Sequence, residues 1–215
     1  MADMTKLQML VVVRDLIRER LGTGQTQGNW NNSQLFRYID QGVWDAFHDE
    51  IDADKTRFNE RAVLTSVGTE FFTLPTDYVR HKTLALTADL TLDSYNTYTE
   101  IAPDDREDGM IATPRGRGFY FYSSTQIGVR PIVTSGETLT LTYFKKFAEL
   151  DDEGKVKCNL HEMAQFLACL YATRMALIDR GDAVVRYIDA LISERKSNLH
   201  NIRRSSHEPY RLVAS

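Results

Sequence analysis

Cysteine is nearly missing from this chain: Cys158 and Cys169 are the only two. That count excludes a disulfide-stapled scaffold. It reads instead as a pair of free thiols in a protein made in a reducing compartment. An excess of positive charge is missing as well. The net charge is −4 over 215 residues, which disfavours non-specific phosphate binding by the whole surface. Long apolar runs are the third absence. Residues 4–21 are interrupted by Lys6, Arg14, Asp15, Arg18, Glu19 and Arg20, so neither a signal peptide nor a membrane span fits. There is no internal repeat and no low-complexity tract. What is present is a 42% apolar fraction with both charge signs mixed, enough for a buried core in one or two compact domains.

Catalytic signatures are also lacking. His161-Glu162 begins like a zinc-protease helix, but the second histidine one turn later is replaced by Gln165, and the metal cannot be shared. Cys158 and His161 have no second ligand pair at useful spacing. The loop of residues 22–32, GTGQTQGNWNN, carries three glycines. It lacks the Gly-Lys-Ser/Thr end of a phosphate loop and follows a helix rather than a strand, so it reads as a connector. Asp151-Asp152-Glu153-Gly154 lacks the alternating ligands of a calcium loop. Arg180-Gly181-Asp182 is a helix stop followed by a helix start, not an adhesion signal. None of the five histidines stands in a nucleophile context. Phe119-Tyr120-Phe121-Tyr122 follows Arg115 and Arg117 and could stack bases, yet in an acidic chain a strand with Phe119 and Phe121 on one face is the better account. The expectation is therefore a protein that is not an enzyme, with no cofactor and no metal.

Periodicity supplies the architecture. Thr5 and Gln8 form a capping box for a first helix with Leu7, Leu10, Val11, Ile17 and Leu21 at helical spacing, stopped by Gly22. Asn32 or Ser33 caps a second helix to about Ile51, with Phe36, Ile39, Val43, Phe47 and Ile51 on one face. From Arg61 the period becomes two. Val63, Thr65 and Val67 oppose Ala62, Leu64 and Ser66, and Phe72 and Leu74 continue to the stop at Pro75. Leu84 and Leu86 share a face of the next strand. Residues 118–126 pair with 127–130, and Leu139, Leu141 and Tyr143 alternate with Thr138, Thr140, Thr142 and Phe144. Residues 91–117, with Glu100, Asp104, Asp105, Glu107 and Asp108, read as a long surface loop. Asn159, with Glu162 three residues on, caps a helix over 160–180 that is apolar nearly all round, which implies burial on most sides and room for a subunit contact. Gly181 and Asp182 make a tight helical hairpin, and Val184, Ile188, Leu191 and Leu199 line the inside of the last helix. The predicted class is α+β: a discontinuous four-helix bundle over residues 1–57 and 151–202, an inserted antiparallel β-sheet or sandwich over 58–150, and an extended basic tail over 203–215.

The β-region opens on EFFTLPTDYVR, from Glu70 to Arg80. Tyr120-Phe121-Tyr122 follows, then Ile127-Gly128-Val129-Arg130-Pro131, then Leu139-Thr140-Leu141-Thr142-Tyr143-Phe144. Framed by two helical pairs and a basic tail, this order resembles the head-to-tail adaptor, or connector, proteins of tailed bacteriophages, in particular those of short-tailed phages. The likeness is detailed over residues 60–180 and one of layout elsewhere. Two positions depart from the pattern: Pro131 stands alone after the third strand, and Asn159-Leu160 replaces the Asn-Pro that often opens the third helix.

The resemblance implies a structural virion protein at the head–tail junction, made in the host cytoplasm. It would form a homo-oligomeric ring, dodecameric in that pattern, beneath the portal protein. The helical part would make the ring wall and the β-part would meet downstream tail proteins, nozzle or fibre. Genomic DNA would be only passing cargo during ejection, and no membrane would be involved. The tail would reach the portal through Arg203, Arg204, Pro209, Tyr210, Arg211 and Leu212. A basic segment beyond the last helical stripe has no core to join and needs a partner. The reading from a different class is a carbohydrate-binding β-sandwich using Tyr95, Tyr98, Tyr120 and Tyr122.

Overall fold

A computed structural model describes residues 3–21, 30–54, 56–87, 97–101, 117–178 and 182–206. The elements are α1 (Lys6–Leu21), α2 (Asn32–Ala53), β1 (Asn59–Thr65), β2 (Phe71–Thr73), β3 (Tyr78–Leu86), β4 (Thr99–Glu100), β5 (Gly118–Ser123), β6 (Gln126–Arg130), β7 (Thr138–Lys145), α3 (Glu162–Leu177) and α4 (Asp182–Ser206). They fall into two compact units, Met1–Arg57 with Phe147–Ser215, and Phe58–Lys146. The mixed α+β class is as expected.

In the helical unit α3 is the hub, packed on α1, α2 and α4. Ala164, Ala168, Ala172 and Ala176 are all buried, four residues apart, so one face of α3 carries nothing larger than a methyl group. Gly42 of α2 lies against that face. A Cβ at Gly42 would stand 2.4 Å from the Ala168 carbonyl oxygen and 3.1 Å from the Ala172 nitrogen. The two backbones meet here, and only glycine leaves room. The apolar residues of α3 are thus largely buried within its own unit.

Capping places the helix starts. The reciprocal bonds of Thr5 and Gln8 open α1, with Thr5 N–H donating to Gln8 Oε1 at 2.9 Å. The cap of α2 is Asn31, one residue before the expected pair. Gln34 N–H donates to Asn31 Oδ1 at 2.8 Å, and Asn31 N–H to Gln34 Oε1 at 3.1 Å. That box needs Gln at the third helical position, which only a cap at 31 provides. The cap of α3 is His161 rather than Asn159: Met163 N–H donates to His161 Nδ1 at 3.2 Å. Asn159 still belongs to the incoming chain, and its carbonyl accepts from Arg57 at 2.8 Å.

The face of α1 is also rotated from the expected one. Lys6, Met9, Leu10, Val13 and Ile17 are buried, while Leu7 and Val11 are 42% and 59% exposed. Spacing of three and four is satisfied by either stripe, and Lys6 masks the phase of the buried one. On α4, Ile188, Ile192 and Leu199 are buried. This helix continues through Ser206, so residues 203–206, expected at the start of an extended tail, are helical. Residues 22–29 of the glycine loop and 207–215 of the tail lie outside the described residues.

The β-unit contains two sheets, β1-β7-β3 and β2-β6-β5-β4. Both contribute to one core, with Phe72, Phe119, Ile127 and Val129 from one and Leu84, Leu139, Leu141 and Tyr143 from the other, joined by Leu74, Tyr98 and Val133. The alternation read on β1 holds: Ala62 and Leu64 pack against this core, whereas Val63 is 62% exposed. The expected hairpin is β5–β6. The all-antiparallel expectation needs one correction, because β4 pairs with β5 in parallel, Thr99 opposite Gly118. Residues 97–101, read as loop, supply this short edge strand. Two paired residues are too few to leave a period. Asp104, Asp105, Glu107 and Asp108 lie outside the described residues.

Candidate functional site

The positions that suggested chemistry turn out to hold backbone. Gln165 is buried at the foot of α3. Its Nε2 donates to the Leu160 carbonyl at 2.8 Å, to the Cys158 carbonyl and to Asp3 Oδ1, each at 3.3 Å, and its Oε1 accepts from Met4 N–H at 2.8 Å. Cys158 N–H donates to the Met4 carbonyl at 2.8 Å. An amide can do this because it donates and accepts at once, whereas a zinc-binding imidazole in its place could not satisfy the same groups. Among the described residues no group of three or more His, Cys, Asp or Glu could hold a metal ion. Both thiols are buried. Burial pushes Cys158 up to about 11 and Cys169 up to about 12, so neither is a nucleophile near neutral pH.

Two further buried polar groups close the helical unit. Lys6 Nζ bonds Asp40 at 2.7 Å and Asp152 at 2.6 Å, joining α1 to α2 and to the turn at 151–154. Burial by itself lowers a lysine pKa, but the bonds to Asp152 and Asp40 outweigh it and hold Lys6 above the ordinary value. Glu50, 2% exposed, forms an ion pair with Arg57, whose Nε is 3.0 Å away, and accepts from His161 N–H at 2.8 Å. Sequence reading missed Lys6, Glu50 and Gln165 alike. The available signal was a charged or amide side chain sitting in the phase of an apolar stripe.

The aromatic run of β5 does not offer a stacking platform. Phe119 and Tyr120 are buried. The Tyr120 hydroxyl donates to Glu70 Oε1, which Arg130 Nε also reaches at 2.9 Å, and the ring lies over Gly128. Of the four tyrosines considered for sugar binding, Tyr98 and Tyr120 are buried and Tyr122 is 59% exposed against Phe71. Tyr95 lies outside the described residues, as does Arg115. Arg117 stands over the Tyr98 ring at 6.0 Å.

What the described surface offers is apolar contact. Leu7 and Val11 on α1, with Ile178 and Tyr187 at the α3–α4 end, are exposed on the helical unit. Val63, Val67, Phe71, Tyr122 and Ile132 are exposed on the β-unit. Ser66 ties two of these together: its Oγ donates to the Val133 carbonyl at 2.8 Å, and its own carbonyl accepts from Gly136 N–H at 3.0 Å. Val67 and Ile132 therefore flank one cross-linked pair of loops. Of the predicted portal-binding residues, Arg203 and Arg204 fall in the last turn of α4, and Pro209, Tyr210, Arg211 and Leu212 lie outside the described residues. No helix among the described residues is long and apolar enough to cross a membrane.

The model of the SU10 adaptor protein family matches residues 4–209, nearly the whole chain and both units. No curated protein matches it.

Proposed function

The chain belongs to the SU10 adaptor protein family, and we propose that it is a structural, non-enzymatic adaptor at the head–tail junction of a bacteriophage virion. In this reading copies form a ring beneath the portal protein, and downstream tail proteins dock to the ring. The observation that carries it is the family match across both units. Two features agree with it. Buried polar side chains serve backbone rather than substrate, and apolar side chains stand exposed on each unit. The net charge of −4 suits a channel that DNA passes without sticking, since like charge opposes contact. The basic end of the chain, Arg203 and Arg204 with Pro209, Tyr210, Arg211 and Leu212, is proposed to reach the portal.

The test is co-assembly with the portal protein of the same phage, read by sedimentation and electron microscopy. The full chain should co-sediment as a closed ring on the portal. A chain ending at Ser206 separates the segment 207–215 from the helical turn, and Arg203→Glu with Arg204→Glu tests the turn alone. Binding that survives both changes would remove the assignment of this end to the portal. A full chain that ignores the portal would overturn the adaptor reading.

A further inference from the structure

We infer that residues 151–158 form a flap on the helical unit, that residues 3–6 strap it shut, and that strap and flap open together while the rest of the unit stays folded. The inference concerns the free chain and does not rest on the adaptor reading. The chain leaves the helical unit after Arg57 and returns to it at Phe147, and the flap lies just past the point of return. Both of its ends are fixed independently of the strap. Phe147 packs on Phe47 of α2 with ring centroids 5.1 Å apart, and the Asn159 carbonyl accepts from Arg57 at 2.8 Å.

Between those ends the ties run to residues 3–6. Cys158 N–H donates to the Met4 carbonyl at 2.8 Å, Thr5 and Lys157 form an antiparallel bridge, and Lys6 Nζ reaches Asp152 Oδ1 at 2.6 Å. Gln165 of α3 holds strap and flap at once, its Oε1 accepting from Met4 N–H and its Nε2 donating to the Cys158 carbonyl, so the two leave together. The flap is also shaped from within. The Asp151 carboxylate accepts from Lys155 N–H and Val156 N–H, each at 2.9 Å, and Gly154 turns the chain at a φ of +74°. It therefore lifts as one piece rather than unravelling residue by residue.

What strap and flap lack is apolar burial. No residue from Asp151 to Lys157 is buried, and of residues 3–8 only Lys6 is. Lys6 is held by carboxylates that themselves face water, Asp40 at 53% and Asp152 at 64% exposure. A segment with few buried apolar contacts and solvent-near hydrogen bonds opens at lower free energy than the core of its own unit. In α3, by contrast, Ala164, Leu167, Ala168, Cys169 and Leu170 are all buried. The two buried thiols thus report two different openings. Cys158 leaves with the flap, whereas Cys169 is uncovered only when α3 parts from its neighbours.

The test is maleimide labelling of the full chain under native conditions, with each cysteine followed by peptide mass spectrometry. Cys158 should react faster than Cys169. Asp152→Asn removes one tie, leaves Lys6 its bond to Asp40, and should speed labelling of Cys158 about five-fold with Cys169 unchanged. Glu153→Gln makes the same charge change one residue along, where the partner is Lys155 of the same turn, and should leave both rates as they are. Equal rates for the two cysteines, or the reverse order, would overturn the inference, since Cys158 would then wait for the unit to unfold. A rise in both rates with Asp152→Asn would overturn it too, as would the same rise from Glu153→Gln. Amide exchange gives a second reading. The N–H groups of Met4 and Cys158 should exchange together and ahead of those of α3, and protection equal to that of α3 would refute an opening of strap and flap.

Discussion

Each unit brings two segments together over a glycine, yet the space that a side chain would need is filled differently. At Gly42 the neighbour is backbone, the Ala168 carbonyl and the Ala172 amide. At Gly128 the neighbour is the Tyr120 ring, whose Cζ stands 2.3 Å from where a Cβ would be. A helix backbone held by its own hydrogen bonds cannot step aside. A ring can turn, at the expense of its hydroxyl bond to Glu70. The helical unit is therefore closed by a geometry with no slack, the β-unit by a side chain that can be exchanged.

The largest effect should come from Gly42→Ala. In an exposed helix interior this change stabilises by about 1 kcal/mol. Here the sign reverses, and a loss of about 3 kcal/mol is expected from overpacking against backbone. Urea unfolding reads it as a lower midpoint at unchanged slope. No truncation of a neighbouring side chain should restore stability, since no side chain is in the way. Gly128→Ala should cost less, about 2 kcal/mol, and should be largely relieved when combined with Tyr120→Leu. A double-mutant cycle gives strong coupling in the second case. Equal rescue at both glycines would erase the distinction between the units.

The same contrast explains what could be read in advance. Strands of the β-unit announce themselves because alternation over 62–65 and over 138–143 survives in a half-buried sheet, and helices do so through spacing of three and four. The outward face of α1 was misjudged because Leu7 and Val11 mimic a core stripe, while the true stripe begins with a lysine that is buried only through Asp40 and Asp152. Such partners lie far away in sequence and leave no local trace. The cap at His161 was hidden for a similar reason: it depends on Glu50 and Arg57 holding the incoming chain extended up to Leu160. The parallel strand β4 is two residues long, below any periodic signal. Of the exposed apolar side chains, the sequence pattern showed the positions but not which of them face out.

Tyr143→Phe probes the β-unit more gently. The hydroxyl donates to Asp77 at 2.9 Å, and its loss should cost about 1 kcal/mol at neutral pH. Burial first, then the bond to Asp77, pushes Tyr143 up to about 12, and burial does the same for Tyr78. A phenol whose folded pKa is raised gives stability that is complete below its unfolded value, about 10. That stability is lost as pH rises toward 12. The wild-type midpoint should therefore fall above pH 10, and Tyr143→Phe should fall less steeply over that range.

The smallest expected effect is on the acid side and belongs to His81. Its ring lies edge-on to Phe119 with centroids 4.9 Å apart, and Nε2 is 3.6 Å from Glu100 Oε2. Burial lowers the His81 pKa first. Glu100 opposes that and Arg80 adds to it, and the net shift is downward. A base whose folded pKa is depressed binds its proton more readily when unfolded, so its contribution is complete above the unfolded value, about 6.5. It is lost as pH falls through the folded value. His81→Gln should flatten the part of the unfolding midpoint that declines below about pH 6.5, leaving the alkaline limb untouched. Glu100→Gln should do the opposite. Without the Glu100 carboxylate that favours the imidazolium, the folded pKa drops further and the acid decline steepens. If both substitutions flatten the profile, the His81–Glu100 contact is not what sets it.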